Sequence, residues 1–268
     1  MLKIITIPAF QDNYIWLIQS TEPAVSILVD PGDANAACDY LSKHNISLDA
    51  ILLTHYHGDH MGAVLEICHQ QDADVTIYAP HWQDTPAGLK VPTKYNISQH
   101  ATKVSPGDTI DIKGLSFTVM DLSGHTLEHV GYLHQDHLFS GDSLFSAGCG
   151  RVFEGSMAQM QQSLARIAAL PQDTVIYPAH EYTLNNLSFA LKVEPDNQDL
   201  LRRLKQVAKC QQQGVPSVPV TLAQEITYNP FLRVQHASVQ HAVQLHFALP
   251  TQDNLEVFSL LRKWKDES

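Results

Sequence analysis

Thr54-His55-Tyr56-His57-Gly58-Asp59-His60 places three histidines and an aspartate within residues 55–60. The run Asp49–Thr54 that leads into it is short and mostly apolar, the pattern of a strand buried on both faces. The cluster therefore follows a strand end, where sheets flanked by helices often hold their ligands. Residues two apart in extended chain share a side, so His55 and His57 can face one ion together. Gly58 permits a bend, after which Asp59 and His60 can face a second ion. Imidazole nitrogens and a carboxylate oxygen suit zinc, and also iron or manganese. The plain alternative is a hydrogen-bonded loop that happens to be rich in histidine. The density of ligand types just past a buried strand favours metal.

Working outward, the first half reads as strands joined by turns. Tyr14–Gln19 and Val25–Val29 are β-branched and apolar, ending at the turn Asp30-Pro31-Gly32-Asp33. Helices are expected over Ala34–Lys43 and Met61–Gln70, and a strand over Val75–Ala79. Residues 80–107 read as loop with an edge strand. Hairpins are expected from Thr109–Lys113 with Leu115–Asp121, and from Val130–Leu133 with His137–Ser140. Met157–Leu170 is an amphipathic helix stopped by Pro171, and Thr174–Tyr177 is the last strand expected. Beyond it come helices at Thr183–Leu191, Asn197–Gln211, part of Val239–Phe247, and Asn254–Lys265, with a connector at 211–219. The division expected is a catalytic domain at 1–172 and a smaller helical, substrate-binding domain at 173–268.

The chain of 268 residues carries 17 Lys and Arg against 28 Asp and Glu, a formal net charge of −11. A nucleic-acid binder needs clustered positive charge, so nucleic-acid partners are not expected. No apolar run is long enough to span a bilayer, so no membrane partner is expected. Met1-Leu2-Lys3-Ile4-Ile5 lacks the pattern of a secretory signal, which leads to a cytoplasmic expectation. Cys38, Cys68, Cys149 and Cys210 form no Cys-x-x-Cys pair, against a thiolate zinc knuckle or disulfide framework.

Three further strand ends offer one ligand each: Ser123-Gly124-His125-Thr126, Ser140-Gly141-Asp142-Ser143 and Pro178-Ala179-His180-Glu181. Each is weak alone, because Gly-Asp is first a turn signal. With His55, His57, Asp59 and His60 they make seven ligands. The spacing His-x-His-x-Asp-His, then Gly-His, Gly-Asp and a last His, resembles the metallo-β-lactamase superfamily up to about residue 181. A closer resemblance, to the glyoxalase II (hydroxyacylglutathione hydrolase) family, spans essentially the whole chain. It rests on Ala9–Tyr14, Leu53–His60, Gly141–Arg151, Ala179–Thr183, Asn185-Asn186-Leu187, Val193-Glu194-Pro195, Tyr228–Arg233, Arg262 and Lys265.

That resemblance implies an α+β fold, a metallo-β-lactamase αββα sandwich followed by the helical domain. It implies two divalent metal ions, zinc first, with His55, His57 and His125 on one, Asp59, His60 and His180 on the other, and Asp142 bridging both. Asp59 is also given a catalytic role in orienting a hydroxide. The substrate implied is S-D-lactoylglutathione or a related S-acylglutathione, held by Arg151, Phe153, Tyr182, Arg262 and Lys265 in a monomeric enzyme. The family often has Lys where Arg151 stands, which keeps charge and changes geometry. It often has Tyr where Phe153 stands, which removes one hydroxyl. For Arg262 and Lys265 the plain alternative is a solvated helix face.

His129 is read as structural support, and His236, His241, His246, His44, His69, His81, His100, His134 and His137 as surface residues. Competing functions are a sulfur dioxygenase of the same superfamily, using one iron, and a non-enzymatic glutathione-conjugate binder.

Overall fold

A computed structural model describes residues 2–71, 74–81, 97, 100–251 and 253–268. Of the segment read at 80–107, residues 82–96, 98 and 99 lie outside the described residues. The chain forms two compact units: Met1–Asp121 with Glu128–Gly141, and Leu122–Leu127 with Asp142–Ser268.

The first unit begins with a six-stranded sheet in chain order: β1 (Leu2–Ala9), β2 (Asn13–Thr21), β3 (Ala24–Val29), β4 (Ala50–Leu52), β5 (Thr76–Pro80) and β6 (Ala101–Val104). β1 is a strand that the sequence reading omits, and β6 is the expected edge strand. β1 to β3 pair antiparallel, while β3 to β6 pair parallel. Parallel neighbours need a crossover, and helices supply two of them: α1 (Ala34–Lys43) after β3, and α2 (Gly58–Met61) with α3 (Val64–Gln70) after β4. The Asp33 carboxylate caps α1 by accepting from the Asn35 and Ala36 amides. Ala37, Leu41, Val64 and Ile67 pack with Leu17, Leu28, Ile51 and Ile77 in one apolar core.

The same unit holds β7 (Thr109–Ile112), β8 (Leu115–Asp121), β9 (Val130–His134) and β10 (His137–Gly141), antiparallel in the order β10-β9-β8-β7. Lys113 and Gly114 both have positive φ (51° and 90°), as a two-residue hairpin turn matched to strand twist requires. From β9, the Tyr132 hydroxyl donates to Leu53 O at 2.8 Å and so joins this sheet to the end of β4.

The second unit contains the short hairpin β11 (Leu144–Phe145) and β12 (Gly148–Cys149), then α4 (Met157–Ala168) and β13 (Val175–Pro178). Next come α5 (Thr183–Val193), α6 (Gln198–Gln213), β14 (Val220–Thr221), α7 (Leu222–Tyr228), α8 (Ala237–Phe247) and α9 (Asn254–Asp266). β14 pairs antiparallel with β13, so the strand pattern does not stop at Tyr177 as expected. Two residues bounded by Pro219 and a helix carry too little alternation to be read as a strand. α7 and the β11–β12 hairpin are further omissions; a Thr221–Gln224 capping box starts the helix. Leu187, Ala190, Leu200, Val207 and Tyr228 form the core between α5, α6 and α7.

Candidate metal centre

In the first unit, the chain leaves β3 through Asp30, a buried residue in left-handed conformation (φ 51°). Aspartate tolerates that conformation better than most side chains. Its Oδ1 accepts from the Thr54 amide at 2.8 Å and its Oδ2 from the Thr54 hydroxyl at 2.6 Å. Oδ2 also takes the His60 Nδ1 hydrogen at 3.0 Å. Thr54 Oγ1, its own hydrogen given to Asp30, lies 3.0 Å from His55 Nδ1 and accepts from it. Asp30 thus directs both rings: Nδ1 carries the hydrogen, and Nε2 keeps a lone pair for a cation.

His55 Nε2 stands 2.9 Å from His57 Nδ1. Two imidazole lone pairs that close repel unless a cation or a proton lies between them. His60 Nε2 is 3.5 Å from Asp59 Oδ2, and Asn13 Nδ2 holds that same oxygen at 3.0 Å. Gly32 makes the close approach possible, since a Cβ there would fall 1.8 Å from Asp59 O. His129 is buried and stacks on His55 with centroids 4.8 Å apart, in keeping with a supporting role.

In the second unit, His125 Nδ1 donates to Arg151 O at 2.8 Å, which again turns the Nε2 lone pair toward a cation. That Nε2 is 3.4 Å from Asp142 Oδ2, and His180 Nε2 is 3.4 Å from Asp142 Oδ1. One buried carboxylate therefore turns its two oxygens toward two different imidazoles. Gly150 is required beside it, because a Cβ would sit 1.9 Å from Asp142 O. Charge-assisted hydrogen bonds are about 2.7–2.9 Å long. Ligand atoms on one tetrahedral zinc, each about 2.0–2.2 Å from it, stand about 3.3 Å apart. The spacings of 3.4–3.5 Å match the second arrangement, so donor types and spacing both fit divalent metal.

The second unit also carries the residues expected to hold substrate. Tyr182 stacks on His180 with centroids 4.6 Å apart and rings 8° from parallel. Phe153 is 61% exposed, its ring 5.2 Å from that of His125. Arg151 is 63% exposed, with Nε 3.4 Å from Asp266 Oδ1. Arg262 is not on a solvated helix face: it is 3% exposed. Its Nη1 donates to Cys149 O at 2.8 Å, its Nη2 donates to Asp266 Oδ1 at 3.0 Å, and its guanidinium lies 5.0 Å from the Phe231 centroid. Lys265 donates to the Asn185 side chain, and its ammonium lies 5.4 Å from the Phe189 centroid. Burial, then the charges of Arg262, Lys192 and Arg151, push the Lys265 ammonium down to about 8. Burial pushes the Cys149 thiol up to about 11, in keeping with a packing role and not a nucleophilic one.

Two supports escape the sequence reading. Asp30 lies in a stretch whose Pro-Gly composition signals only a turn. Glu225, on α7, is fully buried, and burial holds its carboxyl above the usual range although hydrogen bonds from Tyr228, Ala147, Ser146 and Asn229 counter part of the rise. It accepts from Ser146 Oγ (2.8 Å), Ala147 N (2.8 Å), Tyr228 Oη (2.7 Å) and Asn229 Nδ2 (2.9 Å). Asn229 also donates to Phe145 O and Gly148 O, and Asn186 to Ser146 O. Together they clamp the hairpin between Asp142 and Arg151; no local signal marks a lone glutamate for this work. Among the histidines read as surface residues, His134 is a correction: it is buried, with Nδ1 donating to Ser116 O at 2.8 Å.

Comparison with known proteins agrees across the whole length. The family described as Metallo-beta-lactamase superfamily matches residues 10–180, and Hydroxyacylglutathione hydrolase C-terminus matches 181–268. The chain is 46% identical to the hydroxyacylglutathione hydrolase of Shewanella loihica, over 99% of each chain. It is 44% identical to that of Vibrio cholerae, over 100% of each. The crystal structure of ETHE1 from Myxococcus xanthus superposes with a TM-score of 0.62 at 21% identity, covering 97% of this chain and 89% of that one. The fold is the metallo-β-lactamase fold with a helical C-terminal region, as expected.

Proposed function

The chain belongs to the hydroxyacylglutathione hydrolase family of the metallo-β-lactamase superfamily, and on that premise we infer that it cleaves S-D-lactoylglutathione and related S-2-hydroxyacylglutathiones to glutathione and the 2-hydroxy acid, the second step of methylglyoxal detoxification. Divalent metal ions are the cofactor of this superfamily, and zinc is the metal we assign here, with iron or manganese as alternatives. His55, His57 and His125 would hold one ion and Asp59, His60 and His180 the other, with Asp142 available to both. The observation that carries this reading is the carboxylate of Asp142, whose two oxygens face His125 and His180 separately at 3.4 Å.

Divalent cations bound there would supply Lewis acidity to activate water and positive charge near the thioester carbonyl. The chain's own side chains do the rest. Asp59, held through Oδ2 by Asn13, orients the attacking oxygen. Tyr182 and Phe153 flank the ligand histidines and shape the approach of the acyl group. Arg151, Arg262 and Lys265 attract the carboxylates of glutathione. The leaving thiol has a pKa of about 8.5, so no strong general acid is needed.

The catalytic part is assigned to 1–172 and the substrate-binding part to 173–268, the latter lending His180 to the metal centre. The enzyme is assigned as a cytoplasmic monomer; among the described residues no helix is long and apolar enough to cross a membrane. The test is loss of thioester absorbance with S-lactoylglutathione, followed with metal content. Metal-dependent turnover is expected; a fully metal-loaded protein without turnover would overturn the reading.

A further inference from the structure

The cations expected to hold glutathione share a carboxylate that the chain itself brings. Asp266 Oδ1 lies 3.0 Å from Arg262 Nη2 and 3.4 Å from Arg151 Nε. The neighbouring residue, Lys265, feels the positive charges of Arg262, Lys192 and Arg151, with Asp266 partly compensating. One anion thus stands among several cations.

The helix gives no reason for that anion. Asp266 ends α9, where the helix dipole favours cations, and Lys263 and Lys265 occupy the same last turn. The pair Arg262–Asp266 at (i, i+4) also runs in the less favourable order, with the cation N-terminal. Arg262 explains the position better. Its Nη1 is committed to Cys149 O, its buried Nε finds no hydrogen-bond partner among the described residues, and its Nη2 meets Asp266, a side chain 35% exposed. Asp266 therefore covers the Nη2 edge of this guanidinium, at the place where a substrate carboxylate would make the same contact.

We propose that Asp266 is an internal stand-in for a glutathione carboxylate: it neutralises Arg262 and Arg151 while the site is empty, is displaced by the incoming carboxylate, and so sets affinity for the glutathione moiety. This rests on the function proposed above. Arg262 stays anchored by Cys149 O and the Phe231 ring when Asp266 leaves, so the gain from removing a competing charge exceeds the loss of order. A unit charge about 4 Å away in a water-like medium corresponds to roughly a fivefold change in binding.

The test is calorimetric titration of the metal-loaded protein with S-methylglutathione, a thioether that cannot be hydrolysed. Asp266→Asn is expected to bind about fivefold tighter than wild type and to lower KM for S-lactoylglutathione by a similar factor, while Asp266→Glu restores wild-type affinity. The gain should shrink when the glycine carboxylate of the probe is replaced by an amide or when salt is raised. Equal or weaker binding by Asp266→Asn overturns the proposal while leaving the thioesterase reading in place. A wild-type protein that neither binds S-methylglutathione nor hydrolyses the thioester overturns the reading itself, and the proposal with it.

Discussion

The two units present their proposed ligands in different ways. The first draws His55, His57, Asp59 and His60 from one short stretch at the end of β4, with a single buried carboxylate, Asp30, orienting two of the rings. The second draws His125, Asp142 and His180 from three separate loops and holds the hairpin between Asp142 and Arg151 through the buried acceptor Glu225. A local cluster needs only a strand end and one orienting group. A dispersed set depends on tertiary packing, so its supports are structural as well as functional.

The difference can be broken most strongly at the ligands. His57→Ala and Asp142→Ala should each lose metal and thioester turnover together, with activity down more than about a hundredfold. Elemental analysis beside the absorbance assay checks this; a variant that keeps its metal but loses activity would remove that residue from the ligand set. Asp30→Asn comes next. The fold should persist, and metal affinity should fall about 10- to 100-fold, because two histidines lose the acceptor that fixes their tautomer. A competition titration with a chelator measures it, and unchanged affinity would show that Asp30 does not govern the rings.

How much of this was legible follows the same contrast. The strand at Asp49–Thr54 and the histidines after it announce themselves, because ligand density and a buried apolar run are both local signals. Asp30 hides inside Asp30-Pro31-Gly32-Asp33, whose composition describes the turn and not the buried carboxylate. Glu225 is silent, since only folding brings Ser146, Ala147 and Asn229 to it. Arg262 is half legible: resemblance marks it, yet its burial against Phe231 and Cys149 could not be read from helical spacing. β14 and α7 are too short for periodicity to register.

Glu225→Gln tests the dispersed side. The amide replaces one acceptor oxygen, so its NH2 faces either Ser146 and Tyr228 or Ala147 and Asn229, donors against donors. Leaving buried donors unsatisfied costs about 1–3 kcal/mol each, so urea denaturation should show a loss of that order. Turnover should fall with it, whereas Asp30→Asn should weaken metal binding more than it weakens the fold. Equal stability of Glu225→Gln and wild type would contradict the clamp.

The smallest expected effect concerns pH. The Lys265 ammonium is pushed down to about 8. Its charged form is the one that attracts a carboxylate, so affinity is full below that pH and declines as pH rises through it. KM for the thioester should rise a few-fold on the alkaline side, and Lys265→Arg, which stays charged, should flatten that rise. An identical alkaline profile in both proteins would exclude Lys265 as the titrating group.

We propose that two divalent ions make this chain a thioester hydrolase. The direct test is to strip the protein of metal and titrate zinc back while following loss of S-lactoylglutathione absorbance. Full activity should be reached at two equivalents per chain. Full activity at one equivalent, or without metal, would contradict it.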